Sequence, residues 1–521
     1  MLSEYCKHKK SKLFCAFVDF TKAFDSVWRS GLWSKLVKYN VTGKLLNVIK
    51  NLYRGVKSCL KLNNNLTDFF VCDRGVRQGE NLSPILFSLY LNDLEHYLKS
   101  KSDRGVKLVD YDLDIFLQIL VLLYADDTVL FAKSEAELLS LLESFSDYCV
   151  TWKLDINVDK TKILVFGDRP KRNRDIFIKN KRFEIVDTFK YLGIVFSKNR
   201  KFAKAKCHVS DQAKKALFSL YVKIRNLNLP LDCQLKLFDN TVVPLLLYGC
   251  EIWGFGDLNC IEKIHTDFLK HILNVKKSTP HCMLYGDLGR FPLSILIKKR
   301  IIGFWYRLIN NDYNLSSLLY KIVVNDYYVN SNVYSWLNCV KDIFNECGLS
   351  YIWYNQAYQF SREHLLTLVE SSLKHQYLQN WTSLVNESPK CINYRIYKQE
   401  HKFEIIYNDL PDRYLRSIVH FRLCNTHLPI EKGRWMGLQH NDRKCNLCNL
   451  NDIGDEFHYL LKCPYFNYER NKFISHVNTN STNIFTFKKI MTDNNLNNMI
   501  NLCRFIEIVL KKTKNHPAGH N

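Results

Sequence analysis

The first 200 residues alternate between short apolar runs and longer stripes of apolar residues at helical spacing. Stripes typical of helices lie at 32–52, interrupted at Gly43, and after Ser83-Pro84, a pair that favours a helix N-terminus. Runs typical of strands lie at 13–19, 115–123, 128–132, 162–166 and 191–196. This pattern predicts a mixed α/β fold for the first part of the chain.

One helix is predicted in particular detail. Ser134 and Glu137 have the spacing of a capping box. In this motif the side chain of each residue accepts a hydrogen bond from a backbone N–H at or near the other residue. The apolar stripe that follows comprises Leu138, Leu141, Leu142, Phe145 and Tyr148. From about residue 204 the pattern is mainly helical, and a last apolar helix is expected at 502–510.

Length and charge narrow the class of protein. The 521 residues suffice for about three domains, and 74 Lys and Arg against 51 Asp and Glu give a net charge of +23. This surplus favours a polyanionic partner. Nucleic acid is preferred over a membrane, because no apolar run approaches ~18–20 residues. With no signal segment at its start, the chain is expected in the cytoplasm or nucleus, with its 18 cysteines mostly reduced.

Three acidic residues stand at the ends of apolar runs. Asp126 and Asp127 lie between two such runs, at the expected tip of a hairpin, and Asp19 ends another. Adjacent carboxylates are costly unless water or a cation balances their charge. The pair alone is equally typical of an exposed turn. If the strands are neighbours, however, the three acids share one sheet edge and can hold two Mg²⁺ ions for phosphoryl transfer.

Five motifs in order give the chain a resemblance to a known family. They are FVDFTKAFD at 17–25, GVRQGENLSPILF at 75–87, YADD at 124–127, NVDKT at 157–161 and YLGI at 191–194. The series resembles the palm motifs of reverse transcriptases from non-LTR (LINE-type) retrotransposons. The resemblance extends to about residue 310. It implies a polymerase palm, with a mixed, largely antiparallel sheet and helices on one face, followed by a mainly α-helical thumb.

The resemblance also implies roles for the acidic motifs. Asp19, Asp126 and Asp127 would bind two catalytic Mg²⁺ ions. Lys160 would assist the pyrophosphate leaving group, although a surface lysine is the alternative. Asp25 falls off the ligand position and is expected to be structural.

Two further groups would handle the substrates. Phe24 would exclude a ribose 2′-OH by its bulk, with core packing as the alternative. Arg77, Gln78 and Gly79 would line the nucleotide pocket, with an ordinary polar turn as the alternative. The primer grip would comprise Tyr191, Leu192 and Gly193, for which packing is again the alternative.

A second set of residues is typical of a metal site. Cys445, Cys448, His458 and Cys463 have the spacing Cys-x2-Cys-x9-His-x4-Cys. Three thiolates and one imidazole suit tetrahedral Zn²⁺ in a closed, structural site. Incidental cysteines are the alternative. The resembled proteins carry a Cys-Cys-His-Cys element after the polymerase, which implies contact with nucleic acid.

These observations predict an organisation and a function. The expected parts are a palm over 1–200, a helical thumb over 201–310, a helical region without assigned role over 311–430, a zinc-finger-like element over 431–475 and a tail with a helix over 476–521. Fingers and endonuclease regions are expected to be absent, since only about a dozen residues precede the strand that leads to Asp19. The expected activity is DNA synthesis from deoxynucleoside triphosphates, on an RNA template and a DNA primer. The alternative is an inactive remnant that only binds RNA or DNA; oligomeric state is not predicted.

Overall fold

The structure is a computed structural model that divides the chain into two compact units. The first comprises Met1–Ala205 and Arg307–Cys339, and the second comprises Lys206–Tyr306 and Val340–Asn521. The described residues are 1–63, 65–101, 104–167, 176–178, 181–227, 229–311, 314–329, 334–475, 477 and 482–515. The five-part division expected from the sequence stays a prediction.

The first unit contains the strands and eight complete helices of the described residues. The strands are β1 (Leu13–Val18), β2 (Lys57–Ser58), β3 (Lys61–Leu62), β4 (Asn65–Leu66), β5 (Phe70–Val71), β6 (Val106–Asp110), β7 (Ile115–Ile119), β8 (Val121–Tyr124), β9 (Asp127–Ala132), β10 (Lys162–Phe166), β11 (Ile176–Ile178), β12 (Lys181–Val186), β13 (Thr188–Tyr191) and β14 (Ile194–Ser197). Its helices are α1 (Leu2–His8), α2 (Ala23–Ser26), α3 (Arg29–Lys38), α4 (Gly43–Leu52), α5 (Leu82–Leu91), α6 (Leu94–Lys101), α7 (Glu135–Thr151) and α15 (Leu315–Val329).

Six of these strands form the main sheet, in the order β11-β12-β10-β1-β9-β8. Neighbouring strands are antiparallel except for β10 and β12, which are parallel. One face of β1 (Phe14, Ala16 and Val18) packs into a core shared with helices α3 to α7. The opposite face is therefore left for other elements, and it carries the acidic residues described below.

Helix α7 confirms the sequence pattern in detail. Ser134 Oγ accepts from the Glu137 backbone N–H, and Glu137 Oε2 accepts from the Lys133 N–H at 2.9 Å. All five residues of the predicted stripe are buried. Because a capped N-terminus and a single apolar face agree, local sequence suffices to define this helix.

Three local predictions are wrong. The run 115–123 is not one strand, because it contains β7 and β8, which belong to different sheets. Helix α5 begins at Leu82 after Asn81, so Ser83 is not its N-cap; Ser83 is buried, with its Oγ 3.4 Å from the Tyr53 hydroxyl. The run 191–196 is not one strand. It contains the turn of the β13–β14 hairpin, in which Leu192 and Gly193 both have positive φ angles, 45° and 81°. Glycine adopts such angles without steric cost, so Gly193 suits a tight turn.

The second unit is helical among its described residues. Its helices are α9 (Leu231–Thr241), α10 (Val243–Leu246), α11 (Cys250–Trp253), α12 (Asn259–Ile272), α13 (His281–Asp287), α17 (Ser350–Asn355), α18 (Arg362–Glu387), α19 (Tyr394–Tyr397), α20 (Ile406–Asp409), α21 (Asp412–Arg422), α22 (Pro429–Trp435), α23 (Asn467–Phe473), α24 (Ile484–Met491) and α25 (Leu496–Asn515). Helices α8 (Ala203–Leu227), α14 (Leu293–Ile309) and α16 (Ser335–Glu346) each cross a unit boundary. Helix α25 is longer than the predicted 502–510. None of the helices in the described part of the chain is long and apolar enough to cross a membrane.

Candidate active site and cysteine cluster

Strand register brings two of the predicted acids together. Val18 of β1 pairs with Thr128 of β9, so the next position places Asp19 opposite Asp127. Directly opposed residues of an antiparallel pair project from the same face of the sheet. Asp126 lies in the two-residue turn between β8 and β9, beside Ala125 at φ 55°. The three acids therefore share one edge of the sheet.

The segment 157–161 fixes the backbone at Asp19. The Asp19 N–H donates to Thr161 Oγ1 at 3.2 Å, and the Asn157 N–H donates to the Asp19 carbonyl at 2.8 Å. The ammonium group of Lys160, which is 71% exposed, lies 3.7 Å from Asp19 Oδ2. That buried oxygen accepts no hydrogen bond from any described residue. It thus has a free lone pair beside an exposed cationic side chain.

The electrostatics of this edge suit a divalent cation. Burial raises the pKa of the Asp127 carboxyl above its ordinary value, and the charges of Asp126 and Asp19 raise it further. The donors are all carboxylate oxygens, which hard cations such as Mg²⁺ prefer. The unbonded oxygen of Asp19 supplies one such ligand position. The residues present therefore fit a Mg²⁺ centre.

A hairpin packs beside the acids and helps form a cleft of about 610 Å³. The Phe189 ring stacks on Phe17 at 4.4 Å between centroids, and Tyr191 lies 5.3 Å from the same ring. Burial, with a smaller contribution from Asp127, raises the pKa of Tyr191 to about 12. Asp19, Asp127, Lys160 and Tyr191 are among the residues that line the cleft, whereas Asp126 is not.

The predicted nucleotide-pocket residues have contacts of their own within the first unit. Phe24 is half-buried, and its ring stacks on Phe87 at 5.1 Å. Arg77 donates to Glu80 Oε1 at 2.7 Å and to the Leu52 carbonyl at 2.8 Å. Gly79 has a φ of 88° and open space around its Cα. None of these residues lines the 610 Å³ cleft, so their roles stay predictions.

Asp25 has a partner of its own. The Gln78 side-chain amide lies 3.2 Å from both of its carboxylate oxygens. The expectation that Asp25 is structural agrees with this contact.

Sequence reasoning missed two residues that shape the site. Thr161 bonds the backbone of Asp19, and Phe189 provides the ring that packs on Phe17. The signal for Phe189 was its position two residues before Tyr191, which places both rings on one face of a strand. The signal for Thr161 was absent, because its contact depends on the pairing of β1 with β10.

The cysteine cluster lies in the second unit. The ligand atoms of Cys445, Cys448, His458 and Cys463 all lie within 4.8 Å of one another. The Cys445 and Cys463 sulfurs are 4.0 Å apart, and Cys448 Sγ is 3.4 Å from His458 Nε2. Tetrahedral zinc with Zn–S bonds of about 2.3 Å separates two sulfurs by roughly 3.8 Å. The donor set and its spacing therefore fit Zn²⁺.

Surrounding groups orient these ligands. The Leu447 N–H points to Cys445 Sγ at 3.4 Å, and Asp452 lies 3.7 Å from the second ring nitrogen of His458. The buried Arg470 guanidinium donates to the Cys463 carbonyl at 2.9 Å. The hydrogen bond between the two thiols lowers the pKa of Cys445 and raises that of Cys463. Such outer contacts are typical of metal sites, where they fix ligand orientation.

Comparison with known proteins shows that part of the first unit is similar to a known family. Residues 2–196 match the family described as reverse transcriptase (RNA-dependent DNA polymerase). The RNA-directed DNA polymerase from mobile element jockey of Drosophila melanogaster is 25% identical over 283 residues, covering 53% of this chain and 29% of that protein. The Pol polyprotein from type-2 retrotransposable element R2DM of the same species is 26% identical over 337 residues, covering 60% and 30%. The chain thus spans less than a third of the length of these relatives.

One solved structure shares only weak structural similarity with this chain. Apo telomerase from Candida tropicalis is 12% identical, with a TM-score of 0.30, over 70% of this chain and 54% of that one. A score this low supports no conclusion about function.

Proposed function

We propose that residues 2–196, which match the reverse transcriptase family, form a reverse transcriptase domain, and that the chain is part of the RNA-directed DNA polymerase of a non-LTR retrotransposon. It would extend a DNA 3′ end along an RNA template, using deoxynucleoside triphosphates. The observation that carries the proposal is the register of β1 and β9, which opposes Asp19 and Asp127 beside Asp126. This arrangement at the edge of a cleft suits nucleotidyl transfer.

The acidic residues would hold Mg²⁺ in this reaction. When bound, a pair of such ions lowers the pKa of the attacking hydroxyl and neutralises charge on the leaving pyrophosphate. Asp19 and Asp127 are held by the sheet, so they need little rearrangement to present their oxygens. Lys160, which is exposed and close to Asp19, would contact the pyrophosphate.

The neighbouring residues would position substrates. The Leu192-Gly193 turn, held by the packing of Tyr191 and Phe189 on Phe17, would support the primer end. Phe24 would contact the sugar of the incoming nucleotide, and the Arg77–Gly79 loop would contact its base and phosphates. Gly79 is open to close approach because no atom lies within 4 Å of an added Cβ.

We also propose that Cys445, Cys448, His458 and Cys463 bind one structural Zn²⁺. Support comes from the clustering of four ligand atoms and from the hydrogen bond that Arg470 donates to the Cys463 carbonyl. Four protein ligands leave no open coordination position, so the ion would stabilise the fold of this region rather than take part in chemistry.

Primer extension on poly(rA)/oligo(dT) with Mg²⁺ tests the polymerase. The unchanged chain should incorporate dTTP, and the Asp126→Asn/Asp127→Asn protein should lose at least about a hundredfold in rate, as expected for loss of charge stabilisation. Asp112→Asn/Asp114→Asn is the matched control, since it removes two exposed acids of the first unit that are not members of the trio. Equal incorporation by all three proteins would rule out the proposed site.

A second candidate function, nucleic-acid binding without synthesis, is favoured by the net charge of +23. Salt-sensitive binding of RNA by a chain that incorporates no nucleotide would support it instead.

A further inference from the structure

A second cleft of about 610 Å³ lies in the second unit, remote in sequence from the acidic motifs. Its charged and titratable lining groups are all basic, and no carboxylate is among its lining residues. These groups are Lys276, His420, His427, Lys511 and Lys514; Asn274, Val275, Asn425, Thr426 and Leu510 complete the lining. A concave surface of one charge sign attracts anions.

The positive charge of this cleft is balanced only in part: the Glu431 carboxylate acts on Lys276 and counteracts the fall in the pKa of Lys276 that burial causes. Lys511 and Lys514 form no ion pair with any residue in the described part of the chain, whereas Lys512 on the same helix binds Glu469 at 2.8 Å. Residues three apart share one face of a helix, so α25 directs two unpaired ammonium groups toward the same side. Burial lowers the pKa of His427, and the charges of Lys276, Lys432 and Lys514 lower it further. An anion would relieve this repulsion.

An aromatic side chain stands beside the basic groups. The Trp435 ring, at the end of α22, is 66% exposed, and the Lys276 ammonium lies 4.4 Å from its centroid. Tryptophan combines a large apolar face with a polar edge, and it is enriched at binding interfaces. Lys276 therefore belongs to the lining of the cleft and also contacts the Trp435 ring, so the two features are adjacent.

We propose that this cleft binds single-stranded nucleic acid, with Lys276, Lys511 and Lys514 contacting phosphates and Trp435 stacking on a base. Basic grooves combined with exposed aromatic rings are the usual means of binding single strands. An unpaired base can stack on an exposed ring, whereas a base within a duplex is covered on both faces, so the single strand is favoured. The choice of nucleic acid as ligand rests on the proposed function, but the site itself is separate from the acidic trio.

Fluorescence anisotropy of the full chain with labelled oligo(U) tests the proposal. Titrations without Mg²⁺, at several salt concentrations, compare Lys511→Ala/Lys514→Ala with the control Lys236→Ala/Lys402→Ala, which removes two exposed lysines of the same unit. Loss of two phosphate contacts should make the slope of log affinity against log salt shallower by about 1.4. The control should keep the slope of the unchanged chain.

The aromatic contact is tested separately. Trp435→Ala should weaken oligo(U) binding about fivefold or more, while Trp435→Phe should retain most of the affinity because it keeps a stacking face. Because this side chain is exposed, both variants should keep the fold, and circular dichroism checks that they do.

Three results would overturn the inference. The first is an equal slope for the cleft and control variants. The second is a loss of affinity for duplex RNA that matches the loss for oligo(U). The third is displacement of oligo(U) by inorganic phosphate far more effectively than by chloride at equal ionic strength. The last result would indicate a site for small phosphates. The Asp126→Asn/Asp127→Asn protein retains the cleft and should bind oligo(U) normally, so failure of the polymerase proposal and failure of this one are distinguishable.

Discussion

Neutralising Asp127 should stabilise the first unit in the absence of Mg²⁺. The carboxyl of Asp127 has a raised pKa because it is partly buried and close to the charges of Asp126 and Asp19. At neutral pH all three groups are ionised in the unfolded chain, where they are solvated and far apart. Folding therefore brings like charges together, and the Asp127→Asn substitution removes the central one.

The size of this effect follows from the register. Opposed residues of an antiparallel pair have Cα atoms about 4.5–5.5 Å apart. Two charges about 5 Å apart near a solvated surface repel by roughly 1–2 kcal/mol, once screening by water is allowed for. For a unit of this size, each kcal/mol of stability shifts the Tm by about 2–4 °C. Asp127→Asn should therefore raise the Tm by about 2–4 °C for each kcal/mol of repulsion that it removes.

The raised pKa of Asp127 also determines how the stability of the first unit changes with pH. Since the folded-state pKa of Asp127 is raised, the folded protein binds more protons than the unfolded chain between the ordinary pKa of 3.8 and the raised value. Stability contributed by this group therefore falls as pH rises through that window, and the penalty is fully present above it. The advantage of the Asn variant should be largest at neutral pH and should shrink toward pH 4.

Thermal unfolding with and without Mg²⁺ completes the assay. An ion that binds only the folded state adds about 2.7 kcal/mol at a concentration of a hundred times Kd. Mg²⁺ should raise the Tm of the unchanged chain and of the Asp112→Asn/Asp114→Asn control, but should have little effect on Asp127→Asn. A variant that is less stable than the parent without Mg²⁺, or that responds to Mg²⁺ as the parent does, would refute the reasoning.

Three further predictions concern the supporting structure. Ser134→Ala should lower the free energy of unfolding by about 1 kcal/mol through loss of the helix cap, whereas Ser134→Asp should keep it; urea unfolding measures both. Phe189→Ala should weaken primer extension because the hairpin loses its stack on Phe17, while Phe189→Tyr should retain activity, and equal rates would contradict the proposed support. Cys463→Ser should lose bound zinc in metal analysis of the purified chain, whereas Cys207→Ser, at an exposed cysteine of the same unit, should retain it; zinc retained by both would exclude the four-ligand site.

The sequence by itself determined the local elements with strong periodicity and the residues that carry chemistry. Helix α7 has a capping box and one apolar stripe, and both signals depend only on residues close in the chain. Motifs likewise identified Asp19, Asp126 and Asp127 as a group, and the four zinc-ligand candidates as another. Local signals failed where a distant partner or turn geometry decided the outcome, as at Ser83, which is buried near Tyr53, and at Leu192-Gly193.

Only the tertiary structure decided which distant residues meet. A shift of one residue in the pairing of β1 with β9 would turn Asp19 away from Asp127, and no local pattern fixes that register. The same holds for the bond from Asp19 to Thr161. The basic cleft draws its lysines from segments near 276 and 511–514, so it is invisible along the chain. The spacing of apolar residues predicts the secondary structure of a segment and the face that it buries. A functional site depends instead on which residues of other segments are packed next to it.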